Sequence, residues 1–232
     1  MMMTLRGLAV LLGYPSAELQ ENIGSVREAL ARERMLPPAE LRRLESLLVR
    51  LEGADLLDVQ SEYSELFDRS RSLSLHLFEH VHGDNRERGQ AMIDLGEQYV
   101  GAGFFLDTGE LPDFIPVFLE YASCLPLIEA REILSQPAHV FAALAERLDR
   151  RPSPYAAIFH GLVALASERP DADAVAGVEQ NTPAVDPESI DDEWEEAPVS
   201  FAAGAAHEMG GPTGFVAKVR AGNRPVNRES GR

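Results

Sequence analysis

Three of the chain's six histidines lie within one short stretch, residues 74–92, with the sequence SLHLFEHVHGDNRERGQAM. His76 and His80 are four residues apart and would share one face of a helix, while His82 follows with Asp84 as a possible oxygen ligand. The order of residues differs from the His-Glu-x-x-His pattern of zinc proteases, although the spacing permits a metal site. A helical metal-dependent hydrolase built on His76, His80, His82 and Asp84 is therefore the alternative hypothesis for this chain.

The same stretch also fits a structural interpretation, because apolar residues separate its histidines. Leu75, Leu77 and Phe78 would enter the core, and the histidines would form hydrogen bonds at the edge of that segment. Elsewhere the sequence contains no Walker loop, no nucleophile elbow and no Cys/His pair of the kind that builds a catalytic triad. We therefore predict a binding protein and not an enzyme, with no cofactor and no metal of its own.

Charge and cysteine content narrow the possible partners and the compartment. The chain has 232 residues and a formal charge of -17. We therefore expect a cationic, Arg-bearing partner and not a nucleic acid. Its single cysteine, Cys124, cannot form an internal disulfide or hold an iron-sulfur cluster, which favours a reducing compartment. No signal-like segment and no apolar run near the roughly 20 residues of a membrane span is present, so we expect a cytoplasmic protein without membrane insertion.

A helical period dominates the chain before residue 168. Apolar residues recur every three or four positions, as between Leu19 and Leu30 behind a potential N-cap at Ser16. We predict an all-α protein with a single helical-bundle domain of about eight or nine helices over residues 1–167. Residues 168–232 are first acidic and then basic, lack this period, and are predicted to form a largely disordered tail.

Two predicted helix starts lie close to the candidate chemistry. Asp84 and Glu87 have the spacing of a capping box, so a loop should become a helix there. In the stretch ELPDFIP, residues 110–116, Asp113 is predicted to be the N-cap. Pro116 would then occupy the third helical position, where its missing N–H has no intrahelical acceptor to lose.

Three motifs in fixed order resemble those of a known family. They are YSELF at residues 63–67, the histidine-bearing stretch at 74–92 and ELPDFIPVFLEY at 110–121, and LLGYP at 11–15 also fits. Together they are similar to the NarJ-type assembly chaperones of membrane-bound respiratory nitrate reductase, within the wider all-helical chaperones of molybdoenzymes. The wider family has a histidine where this chain has Phe114, so no nucleotide-binding role that depends on that histidine is expected.

The resemblance implies a chaperone that binds the N-terminal, leader-like peptide of the reductase's catalytic (alpha) subunit. It would hold that apoenzyme competent for insertion of the molybdenum cofactor and would not be part of the finished enzyme. Proteins that deliver the cofactor are a second candidate partner. An acidic helical domain could offer a groove to the apolar face of such a peptide. The residues expected to bind the peptide are Tyr63, Phe67, His76, Phe78, Glu79, His80, His82, Glu110, Asp113, Phe114, Glu120 and Tyr121.

Two alternatives stay open at this point. Residues 110–121 fit a plain helix N-terminus as well as a direct peptide contact, because capping already accounts for Asp113. The chain could also be an adaptor whose acidic tail is the working part, in which case the helical domain would not carry the binding site.

Overall fold

Helices account for almost all regular structure in the computed structural model, which describes residues 1–81, 87–106 and 109–181. Within those ranges there is no strand, only an isolated antiparallel bridge between His76 and Phe114. The all-α prediction is confirmed. The α-helices are α1 (Met3–Leu12), α2 (Ala17–Glu33), α3 (Pro38–Gly53), α4 (Leu56–Phe67), α5 (Leu77–Val81), α6 (Glu87–Gly101), α7 (Ile115–Cys124), α8 (Leu127–Ser135), α9 (Ala138–Arg150), α10 (Ala156–Leu165) and α11 (Ala172–Asn181), with a single 3-10 turn at Arg71–Leu73.

Helix α1 lies inside the bundle, because apolar side chains cover most of its circumference. Leu5, Leu8, Leu11 and Leu12 are all fully buried, and α1 packs against α2 and α7. The N–H of Met2 donates to the carbonyl oxygen of Ser123 at 2.8 Å, so the start of α1 lies beside the end of α7. The two helices therefore run antiparallel.

Side-chain oxygens accept N–H groups at the starts of α1 and α2. The predicted N-cap at Ser16 is confirmed, since its Oγ accepts the N–H of Leu19 at 3.1 Å. Helix α1 has no side-chain cap of its own. Instead, the carboxylate of Glu33, the last residue of α2, accepts the N–H groups of Met3 and Thr4, each at 2.7 Å.

Helix α11 extends the described helical body beyond residue 167, into the segment for which we predicted a tail. Its Val178 is 3% exposed and packs into the core. The carbonyl of Val178 accepts a hydrogen bond at 3.1 Å from Arg147, a nearly buried side chain on α9. Two valines among three alanines in this helix form too weak an apolar stripe to recognise from sequence.

A membrane span is absent from the helices of the described residues, none of which is long and apolar enough to cross a bilayer.

Candidate peptide-binding groove

A groove of about 540 Å³ opens between the C-terminal half of α1, the end of α4 and the first turns of α7. It brings together six residues that the sequence placed in one binding site, although these residues lie in separate parts of the chain. They are Tyr63, Phe67, His76, Glu110, Phe114 and Glu120. Its other lining residues are Ala9, Val10, Gly13, Tyr14, Asp68, Leu75, Pro116 and Val117.

An aromatic wall forms one side of the groove. Tyr14 is 55% exposed, and its ring meets that of Tyr63 edge to face at 5.5 Å between centroids. Tyr63 in turn packs on Phe67 at 4.9 Å. The hydroxyl of Tyr63 donates to the carbonyl oxygen of Leu12 at 2.7 Å, which fixes the ring against α1. Burial raises the pKa of the Tyr63 phenol, so it stays neutral.

Carboxylates mark the rim of this apolar groove. Asp68, Glu110 and Glu120 all line it and are exposed. Among the described residues that line the groove there is no lysine or arginine, and His76 is the one basic side chain. An apolar groove with an acidic rim suits an amphipathic helix that carries positive charge.

One corner of the groove is held together by the buried carboxylate of Asp113. Its Oδ1 lies 3.1 Å from Nδ1 of His76, and its Oδ2 accepts the N–H of Phe78 at 3.2 Å. The backbones join as well, since the N–H of Leu77 donates to the Asp113 carbonyl at 3.0 Å. The rings of His76 and Phe114 stack at 5.3 Å. Asp113 thus fixes the segment before α5 against the start of α7.

The predicted N-cap role of Asp113 is wrong. Helix α7 begins at Ile115 with Phe114 as N-cap and no side-chain cap, and Pro116 lies at the second helical position. Asp113 is 0% exposed, and its carboxylate bonds to residues distant in sequence instead of to the following turn. The tertiary bonds prevail because a buried carboxylate needs several donors, and the segment around His76 supplies them.

Two other predicted site residues are buried and are not among the lining residues of the groove. His80 is 0% exposed, and its Nε2 lies 2.8 Å from the Ser74 carbonyl oxygen, to which it must donate. Burial lowers the pKa of His80, so the imidazole is neutral. Tyr121 is 3% exposed and packs against Tyr99 at 4.4 Å between ring centroids. Both side chains therefore contribute to the core and not to the groove surface.

The remaining predicted residues lie on or beyond α5. Phe78 is half-buried, and Glu79 pairs with Arg88 at 3.2 Å, which ties α5 to α6. Neither of the two lines the groove. His82, like Asp84 of the predicted capping box, is outside the described residues.

The part of the chain that the structure describes contains no assembled set of metal ligands. No group of three or more His, Cys, Asp or Glu side chains is placed there to hold an ion. His76 and His80 direct nitrogens to different partners, Asp113 and the Ser74 carbonyl. The other two members of the proposed set, His82 and Asp84, lie outside those residues.

Sequence reasoning missed several lining residues. Tyr14 belongs to the LLGYP motif, and its place in that motif was the one available signal. Val10 could not be distinguished from its buried neighbours, because α1 is apolar on nearly every side. Asp68 ends α4 and is one of many surface acids in a strongly acidic chain.

A family model matches a large part of the helical domain, and individual relatives match most of the chain. A sequence model of the family described as nitrate reductase delta subunit matches residues 35–160. A protein of Escherichia coli (strain K12), named nitrate reductase molybdenum cofactor assembly chaperone NarJ, is 45% identical over 192 residues. That match covers 82% of this chain and 81% of the relative.

Two further relatives carry similar names. The probable nitrate reductase molybdenum cofactor assembly chaperone NarW of Escherichia coli (strain K12) is 40% identical over 201 residues, covering 86% of this chain and 84% of the relative. The probable nitrate reductase molybdenum cofactor assembly chaperone NarJ of Bacillus subtilis (strain 168) is 28% identical over 180 residues, covering 76% of this chain and 95% of the relative.

Proposed function

The chain belongs to the nitrate reductase delta subunit family, and on that premise we propose that it binds the N-terminal segment of the apo catalytic subunit of respiratory nitrate reductase. Binding would keep that subunit competent for insertion of the molybdenum cofactor. The chaperone would then leave and would not be part of the finished enzyme.

Family membership also decides between the classes of protein considered from sequence. The relatives described above are named as assembly chaperones, so this chain is a chaperone and not an enzyme. The resemblance drawn from the three ordered motifs is confirmed, and the metal-dependent hydrolase is set aside.

The groove between α1, α4 and α7 is the observation that carries the proposal. Its floor is apolar, with Val10, Pro116 and Val117 on the two antiparallel helices, and its rim is acidic. A leader-like peptide that folds into an amphipathic helix could bury its apolar side there and present Arg or Lys to the rim. Burial of the peptide's apolar side would supply most of the affinity, and the carboxylates would add attraction at long range.

Calorimetry with a synthetic N-terminal peptide of the catalytic subunit tests the proposal. We expect binding at low salt and weaker binding as salt rises, because the rim charges are exposed and screened. Charge reversal by Glu110→Lys or Glu120→Lys should weaken binding at low salt, whereas Glu97→Lys, an exposed acid on α6 outside the groove, should not. No binding at low salt would contradict the proposal, and equal effects at Glu97 and Glu120 would mean that the peptide binds elsewhere.

The structure changes the expectation for Glu79. From sequence, charge reversal at Glu79, Glu110 or Glu120 is in each case expected to weaken binding more than charge reversal in the tail. Because Glu79 pairs with Arg88 and does not line the groove, we now expect Glu79→Lys to act through the α5–α6 contact and to have the smaller effect on affinity.

The adaptor hypothesis makes a separate prediction. If the acidic tail were the working part, deletion of residues 170–232 would abolish binding of the catalytic subunit, and so would deletion of residues 182–232, which keeps α11. If the groove is the binding site, the remaining chain should keep its affinity for the peptide.

We propose that the chaperone acts in the cytoplasm, because its sole cysteine fits a reducing compartment. Proteins that deliver the cofactor are a second candidate partner.

A further inference from the structure

Helix α11 packs against α9 and α5 through a small apolar surface. Among its described side chains only Val178 is buried, and Val175 is half-buried. Glu179 forms an exposed ion pair with Arg150 at 2.9 Å, and such a pair adds little stability. A helix of ten residues is marginal in water without packing. We therefore expect α11 to open locally more readily than the helices around it.

A buried arginine connects α11 to the segment that precedes α5. Arg147 on α9 is 3% exposed, and its Nη2 donates to the carbonyl oxygen of Val178 at 3.1 Å. Its Nη1 donates to the carbonyl oxygen of Ser72 at 2.7 Å. Ser72 belongs to the 3-10 turn at Arg71–Leu73. One guanidinium group therefore joins α11 to this turn.

The 3-10 turn leads directly into the lining of the groove. Ser74 follows the turn, and its carbonyl oxygen accepts a hydrogen bond from Nε2 of His80 at 2.8 Å. The Oγ of Ser74 accepts the N–H of His76 at 3.2 Å. Leu75 and His76 then line the groove. The placement of these two side chains thus depends on a backbone whose carbonyl oxygens are held by buried Arg147 and His80.

Separation of α11 from the body would change the hydrogen bonding of Arg147. A buried guanidinium group needs acceptors for its N–H groups, and the Val178 carbonyl is one of them. Without that acceptor, Arg147 would move toward water or toward another acceptor, and either movement disturbs its bond to Ser72. None of the described residues that line the groove belongs to α11. An effect of α11 on the groove therefore has to pass through a connection of this kind.

We propose that Arg147 is a positioning residue for the groove and couples the docking of α11 to the affinity for the peptide. With α11 docked, Ser72 is held in place, and Leu75 and His76 keep the arrangement that binds the peptide. With α11 undocked, this side of the groove loosens and the peptide binds more weakly. The inference rests on the proposed function and specifies what controls the same site. Because coupling is reciprocal, the bound peptide also stabilises the docked position of α11 by the same factor.

Hydrogen–deuterium exchange of the full chain, measured by mass spectrometry, tests the coupling without any substitution. Without peptide, the amides of α11 should exchange faster than those of α9, because α11 opens locally. Saturation with the synthetic catalytic-subunit peptide at low salt should slow exchange in α11 about five-fold, although the peptide would not touch that helix. Unchanged exchange in α11 together with protection of α1 and α7 would overturn the coupling and uphold the proposed function. Absence of protection in all the helices would overturn both.

The role of Arg147 itself is tested by Arg147→Met, which keeps an apolar stem and removes the hydrogen bonds to Ser72 and Val178. In this variant the peptide should no longer slow exchange in α11. Slowing of the same size as in the unmodified chain would overturn the assignment of Arg147 as the connecting residue.

A matched pair of variants on α11 provides a measurement of affinity. Val178→Lys places a charged side chain in the core next to the carbonyl that Arg147 binds, and it should undock α11. Ala176→Lys adds the same charge at an exposed position of the same helix. By calorimetry, Val178→Lys should bind the peptide about five-fold more weakly than Ala176→Lys. The ratio should persist at high salt, because it arises from packing and not from exposed charge. Equal affinities of the two variants would overturn the coupling.

Discussion

At the scale of single residues, the carboxylate of Asp113 joins the segment before α5 to the start of α7. Asp113→Ala removes the carboxylate that accepts the part-buried N–H of Phe78 and contacts His76. We expect a loss of about 2 kcal/mol in the free energy of unfolding, measured by urea denaturation. Glu21→Ala, an exposed acid on α2, is the control and should change the free energy by little. Equal losses in the two variants would show that the Asp113 contacts contribute nothing specific.

His80 should make stability depend on pH. Burial lowers its pKa below the ordinary value of 6.5, so below that pH the unfolded chain binds a proton that the folded chain does not. Stability should therefore be complete above about pH 7 and fall toward pH 5. His80→Gln should flatten this fall, with a remainder from His139, whose pKa burial also lowers. Thermal unfolding at several pH values measures the slope, and an unchanged slope in the variant would refute this assignment.

Residue types and motif order predicted some of the residues that line the candidate groove. Which of the predicted side chains are buried depended on packing between helices. Glu110, Phe114 and Glu120 were predicted from one motif, and they do line the groove. His80 and Asp113 were predicted alongside them, but the structure buries both. Sequence spacing does not distinguish a side chain that faces a groove from one that lies under it, because burial depends on helices that are distant in the chain.

At the scale of elements, the support of α1 by α2 can be measured through Glu33. Burial alone would raise the pKa of Glu33, but hydrogen bonds from Met3 and Thr4 outweigh that effect and lower it. Glu33→Gln should cost about 1 kcal/mol at pH 7. The wild-type advantage should be present above the unfolded pKa of 4.5 and disappear as the pH falls below it.

A matched control for Glu33 lies on the same helix. Glu28 forms an exposed ion pair with Arg32 one turn away, so Glu28→Gln should have little effect. If the two variants lose equal stability in urea denaturation, the carboxylate of Glu33 does not cap α1.

The cap at Ser16 could be predicted from the sequence because it acts within three residues. The cap on α1 could not be predicted, because the carboxylate of Glu33 lies about thirty residues later in the chain.

At the scale of the whole molecule, the position of the C-terminal boundary of the helical body is testable. Truncation after residue 181 keeps α11, whereas truncation after residue 167 exposes the core around Val178 and removes one carbonyl acceptor of Arg147. We expect the shorter chain to unfold at a lower urea concentration, by about 2 kcal/mol or more. Equal midpoints for the two truncations would place the boundary at 167, as the composition predicted.

The proposed function requires that the catalytic subunit bind in the groove. A photoreactive p-benzoylphenylalanine in place of Tyr14, at the exposed edge of the groove, can test this in cells that make the apo-reductase. The control position is Val49, which is 57% exposed on α3 outside the groove. Mass spectrometry should locate the cross-link from position 14 in the N-terminal segment of the catalytic subunit, with none from position 49. Cross-links elsewhere in that subunit, or equal cross-linking from both positions, would contradict the account.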